Sequence, residues 1–227
     1  MSALRRYPQD SYDVAPVVAD VEAAGRRCLA RALDVRDPRA VDGFVEETAS
    51  LFGDVHIAVA NAGIAPRTPL ASLSDEAWNR VLDVDLTGAM RLFRASIPFM
   101  RAAGYGRLIA TSSVAGTEAA WAEHVPYAAA KAGLVGMVRS WGAELAADGI
   151  TTNAVAPGSI LTPQFLDPVN SGGQDAVGPT AARNPTGRIG LPEDVAYTFQ
   201  FLASPGAGYV NGQRVVVDGG RHLLALG

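Results

Sequence analysis

The sequence has few residues that form disulfides or bind metals. It contains one cysteine, Cys28, and three scattered histidines, which excludes an internal disulfide framework and disfavours a Cys/His zinc site. It also lacks an apolar segment typical of a signal peptide or a membrane span, since the uncharged stretch over 149–166 contains two prolines and several polar side chains. We therefore expect a cytoplasmic protein with no metal site and no membrane partner.

Charge is also sparse and nearly balanced. The 227 residues include 19 basic and 23 acidic side chains, for a net charge of −4, and no basic run occurs. This balance disfavours binding to the phosphate backbone of a nucleic acid. Because 48% of the residues are apolar and a domain usually takes ~100–200 residues, the composition predicts one globular domain over 1–227.

Lysine is nearly absent. Of the 19 basic residues 18 are arginines, and Lys131 is the single lysine. Codon bias explains an arginine-rich composition, but it does not explain why one position keeps lysine. Lysine carries a compact ammonium with a tunable pKa, whereas arginine is a planar fork that stays charged. The neighbours of Lys131 are therefore candidate functional residues.

Strand-like apolar runs alternate with helix-like segments along the chain. The sequence predicts helices over 12–25, 38–53, 74–103, 125–147 and 192–203, and strands over 28–34, 55–60, 107–112, 151–156 and 214–217. This alternation predicts an α/β fold with a doubly wound, Rossmann-like parallel sheet covered by helices on both faces. The Gly-, Pro- and Ser-rich segment 163–190 is predicted to be a mobile loop that contacts substrate.

Ligands of such sheets bind at the carboxyl ends of the strands. The predicted strand ends place several polar or turn-forming residues on one rim, namely Asp34, Asn61, Ser112, Ser113, Pro157 and Gly158. This rim is the predicted ligand-binding edge of the protein.

Tyr127 and Lys131 are four residues apart on a predicted helix, which puts both side chains on the same helix face. A free tyrosine has a pKa near ~10, and a neighbouring ammonium favours the phenolate by ~1–3 pKa units. The pair is therefore a candidate general acid/base for an alcohol or carbonyl oxygen. The alternative is that the spacing arises by chance.

Ser113 lies at the end of a predicted strand, fourteen residues before Tyr127. Its hydroxyl is a candidate hydrogen-bond partner for the same substrate oxygen. The alternative is a loop serine that only satisfies backbone groups nearby.

Several short motifs occur together in a fixed order. They are Asn61-Ala62-Gly63, Ser112-Ser113, Tyr127-Ala-Ala-Ala-Lys131, Asn153-Ala-Val-Ala-Pro157-Gly158 and Val217-Asp218-Gly219-Gly220. Over about residues 14–220 the chain thereby resembles the short-chain dehydrogenase/reductase family. The resemblance implies an NAD- or NADP-dependent oxidoreductase that interconverts a secondary alcohol and a ketone by hydride transfer. A weaker likeness of residues 5–36 to the carveol-dehydrogenase-like branch implies a bulky alcohol substrate.

The resemblance also implies roles for particular residues. Ser113 would orient the carbonyl, Tyr127 would be the acid/base, and Lys131 would favour the phenolate and hold the nicotinamide ribose. Asp34 would reach the adenine amino group. The implied cofactor-binding set is Asp34, Val35, Asn61, Ala62, Gly63, Tyr127, Lys131, Pro157, Gly158, Ile160 and Thr162.

The chain departs from the family pattern at Asp85. The family has an asparagine in a run like Asp-Val-Asn-Leu, and here the run is Asp83-Val84-Asp85-Leu86. An ionised Asp85 accepts hydrogen bonds but cannot donate them. We count Asp85 among the catalytic candidates and expect its charge to offset part of the effect of Lys131 on Tyr127.

A second departure is the absence of the family's Thr-Gly-x-x-x-Gly-x-Gly turn from the 227 residues. That turn supplies the backbone N–H groups that hold a pyrophosphate. The expectation is a fold truncated at its N-terminus, without the first strand, first helix and second strand of the family.

Two other function classes remain as alternatives. One is a non-catalytic remnant of the same fold that acts, if at all, by association with a partner. A serine hydrolase is the other, but no Gly-x-Ser-x-Gly motif occurs and His124 is merely near Ser113 in sequence. The family resemblance also implies a homodimer or homotetramer, for which the helix 125–147 offers small residues suited to close helix packing.

Overall fold

The computed structural model describes residues 14–224. The described chain divides into two compact units, one up to Leu33 and one from Asp34 onward. The second unit contains a sheet of four strands: β1 (Ile57–Ala60), β2 (Gly106–Thr111), β3 (Ile150–Pro157) and β4 (Arg214–Val217).

The helices match most of the predicted ones. They are α1 (Ala15–Ala23), α2 (Pro38–Phe52), α3 (Asp75–Leu82), α4 (Gly88–Ala103), α5 (Val125–Leu145), α6 (Pro163–Leu166), α7 (Val177–Arg183) and α8 (Pro192–Ala203). A π-helical turn over Asp83–Thr87 joins α3 to α4. Within residues 14–224, no helix has both the length and the apolar character needed to cross a bilayer.

In the first unit, α1 ends close to Gly25, where the sequence predicts the end of a helix. Residues 12 and 13 of the predicted helix lie outside the described residues. The predicted strand over 28–34 is wrong, because these residues form no strand. The segment CLARALD contains no β-branched or aromatic residue, and a strand needs a paired neighbour to be stable.

Helix α2 follows from its end signals. The Asp37 side chain accepts hydrogen bonds from the backbone N–H groups of Arg39 and Ala40, and Pro38 occupies the first helical position. Gly53 ends the helix in the left-handed conformation that glycine adopts without strain. The predicted helix over 38–53 is therefore confirmed.

The four strands are parallel and lie in the order β1-β2-β3-β4. The register pairs Ala60 with Ala110, Thr111 with Val155, and Pro157 with Val217. All four carboxyl ends therefore lie along one edge of the sheet, and the loops that follow them are neighbours.

Helices cover both faces of this sheet. On one face, Val45 of α2, Phe93 of α4 and Leu134 of α5 pack with Leu108 and Ala154 of the strands. Each such buried large side chain contributes about 1.5–3 kcal/mol to folding.

The opposite face of the sheet is formed by the alternate residues of the same strands. Ile109 of β2 and Val155 of β3 pack against Leu202 of α8. The α/β fold with a Rossmann-like parallel sheet between two helical layers is confirmed.

Helix α8 begins with a charged cap that gives a testable pH dependence. Asp194 accepts a hydrogen bond from Arg188 Nη1 at 2.6 Å and from the backbone N–H of Leu191 at 2.8 Å. These hydrogen bonds, that from Arg188 foremost, lower the pKa of Asp194 from 3.8 to about 2. The resulting stabilisation is present above pH 3.8 and is lost as the pH falls through about 2.

We expect Asp194→Ala to lower the free energy of unfolding at pH 7 by about 1 kcal/mol, as for other lost helix caps. Denaturant unfolding at several pH values would measure this loss, and the difference from wild type should shrink towards pH 2. Asp194→Asn, which keeps an oxygen acceptor for Leu191 without the charge, should lose less. An equal loss at pH 7 and pH 2 would contradict the role of the ionised carboxylate.

Candidate active site

Tyr127 and Lys131 lie one turn apart near the start of α5. Pro126 is the second residue of this helix, where its missing N–H costs nothing. Lys131 Nζ lies 5.3 Å from the centre of the Tyr127 ring, and Tyr127 is half-buried. The predicted pair therefore shares one helix face, with the ammonium near the phenol.

The Lys131 ammonium is buried and has two oxygen partners. It lies 3.1 Å from Asp85 Oδ2, in an ion pair whose side chains are 5% and 0% exposed. It also donates a hydrogen bond to the backbone carbonyl of Thr111 at 3.0 Å. Two fixed acceptors therefore hold the ammonium at the end of β2.

Asp85 reaches this position because it lies in the π-helical turn between α3 and α4. Its Oδ1 accepts a hydrogen bond from the backbone N–H of Ile64 at 2.8 Å. Burial raises the pKa of the Asp85 carboxyl above its ordinary value, against the opposing effects of Lys131 and the Ile64 N–H. The carboxylate lies against the ammonium, as expected from the sequence.

The two serines after β2 make different contacts. Ser112 Oγ donates to the backbone carbonyl of Lys131 at 2.8 Å, which ties the strand end to α5. Ser113 Oγ accepts from the backbone N–H of Ala115 at 3.1 Å. A hydroxyl that accepts one hydrogen bond can still donate another, so the local contact leaves Ser113 able to bind a substrate oxygen.

The segment after Ser113 turns back onto α5 through Gly116. This residue has φ +82°, and a Cβ here would lie 2.3 Å from the carbonyl oxygen of Ala128. Only glycine permits both the left-handed backbone and this close approach. The segment 112–116 is thereby held against the same turns of α5 that carry Tyr127 and Lys131.

The Asn61-Ala62-Gly63 segment follows β1 and is exposed. Asn61 Oδ1 accepts a hydrogen bond from Thr111 Oγ1 at 2.8 Å, which links the ends of β1 and β2. A Cβ on Gly63 would lie 2.9 Å from Asp85 Oδ2 and 3.2 Å from Lys131 Nζ. The missing side chain therefore keeps this side of the ion pair clear.

Other predicted cofactor residues follow β3. Gly158 donates its N–H to the Val217 carbonyl at 3.0 Å, so the ends of β3 and β4 meet here directly after Pro157. Ile160 forms a bridge with Gly190, and Thr162 caps the short helix α6 through the Phe165 N–H. These residues continue the edge that carries Ser112 and Asn61.

Asp34 does not end a strand, contrary to the sequence prediction. Its carboxylate accepts from Arg36 Nη2 at 2.6 Å and from the Arg36 backbone N–H at 2.9 Å, and both side chains are 48% exposed. These hydrogen bonds lower the pKa of Asp34 to about 2. Val35 accepts from Arg91 Nη1 at 3.3 Å, which ties this segment to α4.

Two contributors to the site lack a sequence signal. The Thr111 carbonyl that holds Lys131 is a backbone group, which any residue type could supply. Trp121 lies edge-on to Tyr127, with ring centres 5.5 Å apart and planes at 89°. Its aromatic character alone does not indicate which ring it contacts.

The Lys131–Asp85 pair predicts what happens when Asp85 is replaced by the asparagine that the family pattern has at this position. Asp85→Asn keeps an oxygen acceptor for Ile64 but removes the negative charge beside the ammonium. We expect activity to be retained or raised and the pH–rate profile to move acidward by about 1 pH unit, because Lys131 would then favour the Tyr127 phenolate unopposed.

The measurement is kcat against pH for both forms. Asp83→Asn is the matched control, since Asp83 lies in the same turn but pairs with Arg91 instead of Lys131, and its profile should not move. A tenfold loss of activity in Asp85→Asn would show instead that the carboxylate has a role of its own.

Known proteins are similar to this chain in sequence and in fold. A family model described as Enoyl-(Acyl carrier protein) reductase matches residues 8–222. The cis-4-hydroxycyclohexanecarboxylate dehydrogenase of Sinomonas cyclohexanicum is 41% identical over 209 residues, which are 92% of this chain and 81% of that protein. The short-chain reductase protein NovJ of Streptomyces niveus is 39% identical over 212 residues, which are 92% of this chain and 80% of NovJ.

A solved structure agrees with these sequence matches. The crystal structure of levodione reductase has a TM-score of 0.85 and 32% identity, and covers 93% of this chain and 84% of that one. Fold and site thus define a Rossmann-like α/β oxidoreductase class. Within that class, the chain belongs to the short-chain dehydrogenase/reductase family.

Proposed function

We propose that the protein is an NAD- or NADP-dependent oxidoreductase that interconverts a secondary alcohol and a ketone, with Tyr127 as the acid/base. The observation that carries the proposal is the buried Lys131–Asp85 pair at the carboxyl edge of the parallel sheet, with its ammonium 5.3 Å from the centre of the half-buried Tyr127 ring. An ammonium held this close to a phenol favours proton exchange by that phenol.

The residues at this edge suit one half of a dinucleotide. Asn61 offers an exposed amide, Gly63 leaves the approach to the ion pair free of a side chain, and Lys131 supplies a charge for ribose hydroxyls. Pro157, Gly158, Ile160 and Thr162 would line the carboxamide and diphosphate side. When bound, the nicotinamide supplies or accepts the hydride.

The half of the site that would bind the cofactor's pyrophosphate differs from the family pattern. The Thr-Gly-x-x-x-Gly-x-Gly turn that holds it in the family does not occur in the 227 residues. Without those backbone N–H donors, we expect the chain to bind NAD(H) or NADP(H) weakly. The proposed activity therefore calls for assays at millimolar cofactor concentration.

The protein side of the reaction follows from the contacts at the edge. In ketone reduction, the Tyr127 hydroxyl gives its proton to the carbonyl oxygen as the carbonyl carbon takes up the hydride, which yields the alcohol. Ser113 donates a hydrogen bond to that same oxygen and orients it. Lys131 stabilises the phenolate left behind, and Asp85 limits how far the ammonium does so.

The second candidate is a non-catalytic form of the same fold that acts through association. It is favoured by β1, which pairs only with β2 among the described strands and whose Ile57 and Val59 side chains, on one face of the sheet, are 45% and 42% exposed. An exposed strand edge is a template for pairing with another chain.

We also propose that the oxidoreductase is a cytoplasmic homodimer or homotetramer. In each subunit the segment 163–190 closes over the substrate.

A ketone panel tests the proposal. NADH and NADPH oxidation is followed at millimolar cofactor with cyclic and acyclic ketones, and calorimetric titration gives the cofactor affinities. We expect ketone-dependent turnover with a high KM for the cofactor. No turnover with any ketone, from a chain whose unfolding transition is intact, would favour the association function.

A further inference from the structure

Arg214 is the first residue of β4, and its side chain reaches the loop that follows β2. Val215 and Val217 pack on the α8 side of the sheet, so Arg214 points to the opposite face, which α5 covers. Its Nη2 forms an ion pair with Glu118, and the two side chains are 25% and 22% exposed. Its Nη1 donates to the Thr117 carbonyl at 3.5 Å. The strand therefore holds the loop at two successive residues.

Thr117 connects this contact to Ser113. The Thr117 hydroxyl donates to the Ser113 carbonyl at 2.6 Å, and the backbone N–H of Glu118 donates to the Val114 carbonyl at 2.8 Å. The backbone N–H of Ala115 donates to Ser113 Oγ at 3.1 Å. These hydrogen bonds close the loop on itself, so a displacement of Thr117 is passed on to Ser113.

The same loop is also tied to β3 and α5. The backbone N–H of Val114 donates to the Pro157 carbonyl at 3.0 Å, where β3 ends. Gly116 lies directly against the Ala128 carbonyl of α5. Arg214 adds the contact from β4, so three elements of the sheet and its helical layer together fix the loop that begins at Ser113.

The arginine is unfavourable for the strand itself. The Nε of Arg214 is buried and, among the described residues, has no hydrogen-bond partner. A buried donor left unsatisfied disfavours folding. The other three residues of β4 are valines, and a residue of that kind suits a strand without this penalty. What explains the arginine is therefore the loop that its terminal nitrogens hold.

We propose that Arg214 is a positioning residue: through Glu118 and Thr117 it holds Ser113 where the serine hydroxyl meets the substrate oxygen. The inference rests on the proposed function, in which Ser113 donates a hydrogen bond to that oxygen. A donor accelerates a reaction when it is already aimed at the atom where charge develops. A small displacement of Ser113 therefore lowers kcat, although Arg214 acts only through the loop.

Amide hydrogen exchange tests whether Arg214 holds the loop. In Arg214→Ala, a peptide covering 114–120 should exchange roughly tenfold faster than in wild type, the effect of one hydrogen bond from a charged donor. Arg101→Ala is the matched control, because it removes an ion pair with Asp148 at the end of α4. This control should leave the peptide unchanged, and a peptide covering 38–52 reports whether each variant is folded.

Kinetics test whether the loop acts through Ser113. Arg214→Ala should lower kcat for ketone reduction about tenfold at an unchanged KM for the cofactor. Thr117→Val removes the hydroxyl that holds the Ser113 carbonyl and should lose as much, whereas Thr117→Ser keeps that hydroxyl and should lose little. In a Ser113→Ala background, Arg214→Ala should lower kcat by no more than about twofold further, because the hydroxyl that it positions is gone.

Three results would overturn the inference and leave the proposed function standing. These are unchanged exchange of the loop in Arg214→Ala, equal kcat in Thr117→Val and Thr117→Ser, or an undiminished effect of Arg214→Ala when residue 113 is already alanine. If Arg214→Ala fails to fold, Glu118→Ala takes its place in both measurements, since it breaks the same ion pair from the loop. A folded wild type without activity on any ketone would refute the proposed function instead, and the exchange measurement would then decide whether Arg214 holds the loop.

Discussion

Tyr127→Phe is expected to lower turnover by roughly 10²–10⁴-fold, the usual contribution of a positioned acid/base. Phenylalanine keeps the ring that lies near Trp121 and Lys131 but removes the hydroxyl that is proposed to exchange the proton. The measurement is ketone-dependent NAD(P)H oxidation at millimolar cofactor. Stability should change little, because the ring contacts remain.

Tyr209→Phe is the matched control, since Tyr209 is fully exposed and the same hydroxyl is removed away from the site. It should leave turnover unchanged. Equal rates for Tyr127→Phe and wild type across the ketone panel would refute the assignment of Tyr127 as the acid/base.

Lys131→Arg should lose on the order of 10²-fold in kcat/KM, the scale of a misplaced catalytic group. Because arginine keeps the positive charge, the loss in kcat/KM measures how much the position of that charge matters. The lysine side chain is 5% exposed and lies close to Gly63, which leaves little room for a planar guanidinium to reach both Asp85 and the Thr111 carbonyl.

Arg139→Lys is the reciprocal control on the exposed face of the same helix, and its activity should equal that of wild type. Lys131→Met should lower the free energy of unfolding by about 3–5 kcal/mol, because the buried Asp85 carboxyl loses its ion-pair partner and must either stay ionised uncompensated or take up a proton. Full activity of Lys131→Arg would contradict a positional role for the ammonium.

The sequence predicts the sheet well wherever strands are apolar and end in clear turns. β2 and β3 begin and end within one residue of their predicted bounds, and the α2 cap at Asp37 is as expected. The prediction of a strand over 28–34 is wrong because strand formation depends on a neighbouring strand that local sequence does not specify. Propensity alone gives no information on that partner.

For the site, the lone lysine and its spacing from Tyr127 were enough to predict that both lie on one helix face. The position of Asp85 against Lys131 was predictable only from the order of motifs, since the π-helical turn that brings it there has no sequence signature. The sequence shows His124 only as a residue close to Ser113 along the chain and does not predict what its imidazole contacts. Its two carbonyl partners are backbone groups, and one lies 46 residues away.

The most direct test of the proposed oxidoreductase is transfer of deuterium from NADH or NADPH labelled at the nicotinamide C4 position to a ketone. With the 227-residue chain at millimolar cofactor, we predict label at the carbinol carbon of the alcohol product, and at least a roughly 100-fold slower transfer in Tyr127→Phe. Folded protein that transfers no label from either face of either cofactor, or transfers it equally fast in both forms, would contradict the account.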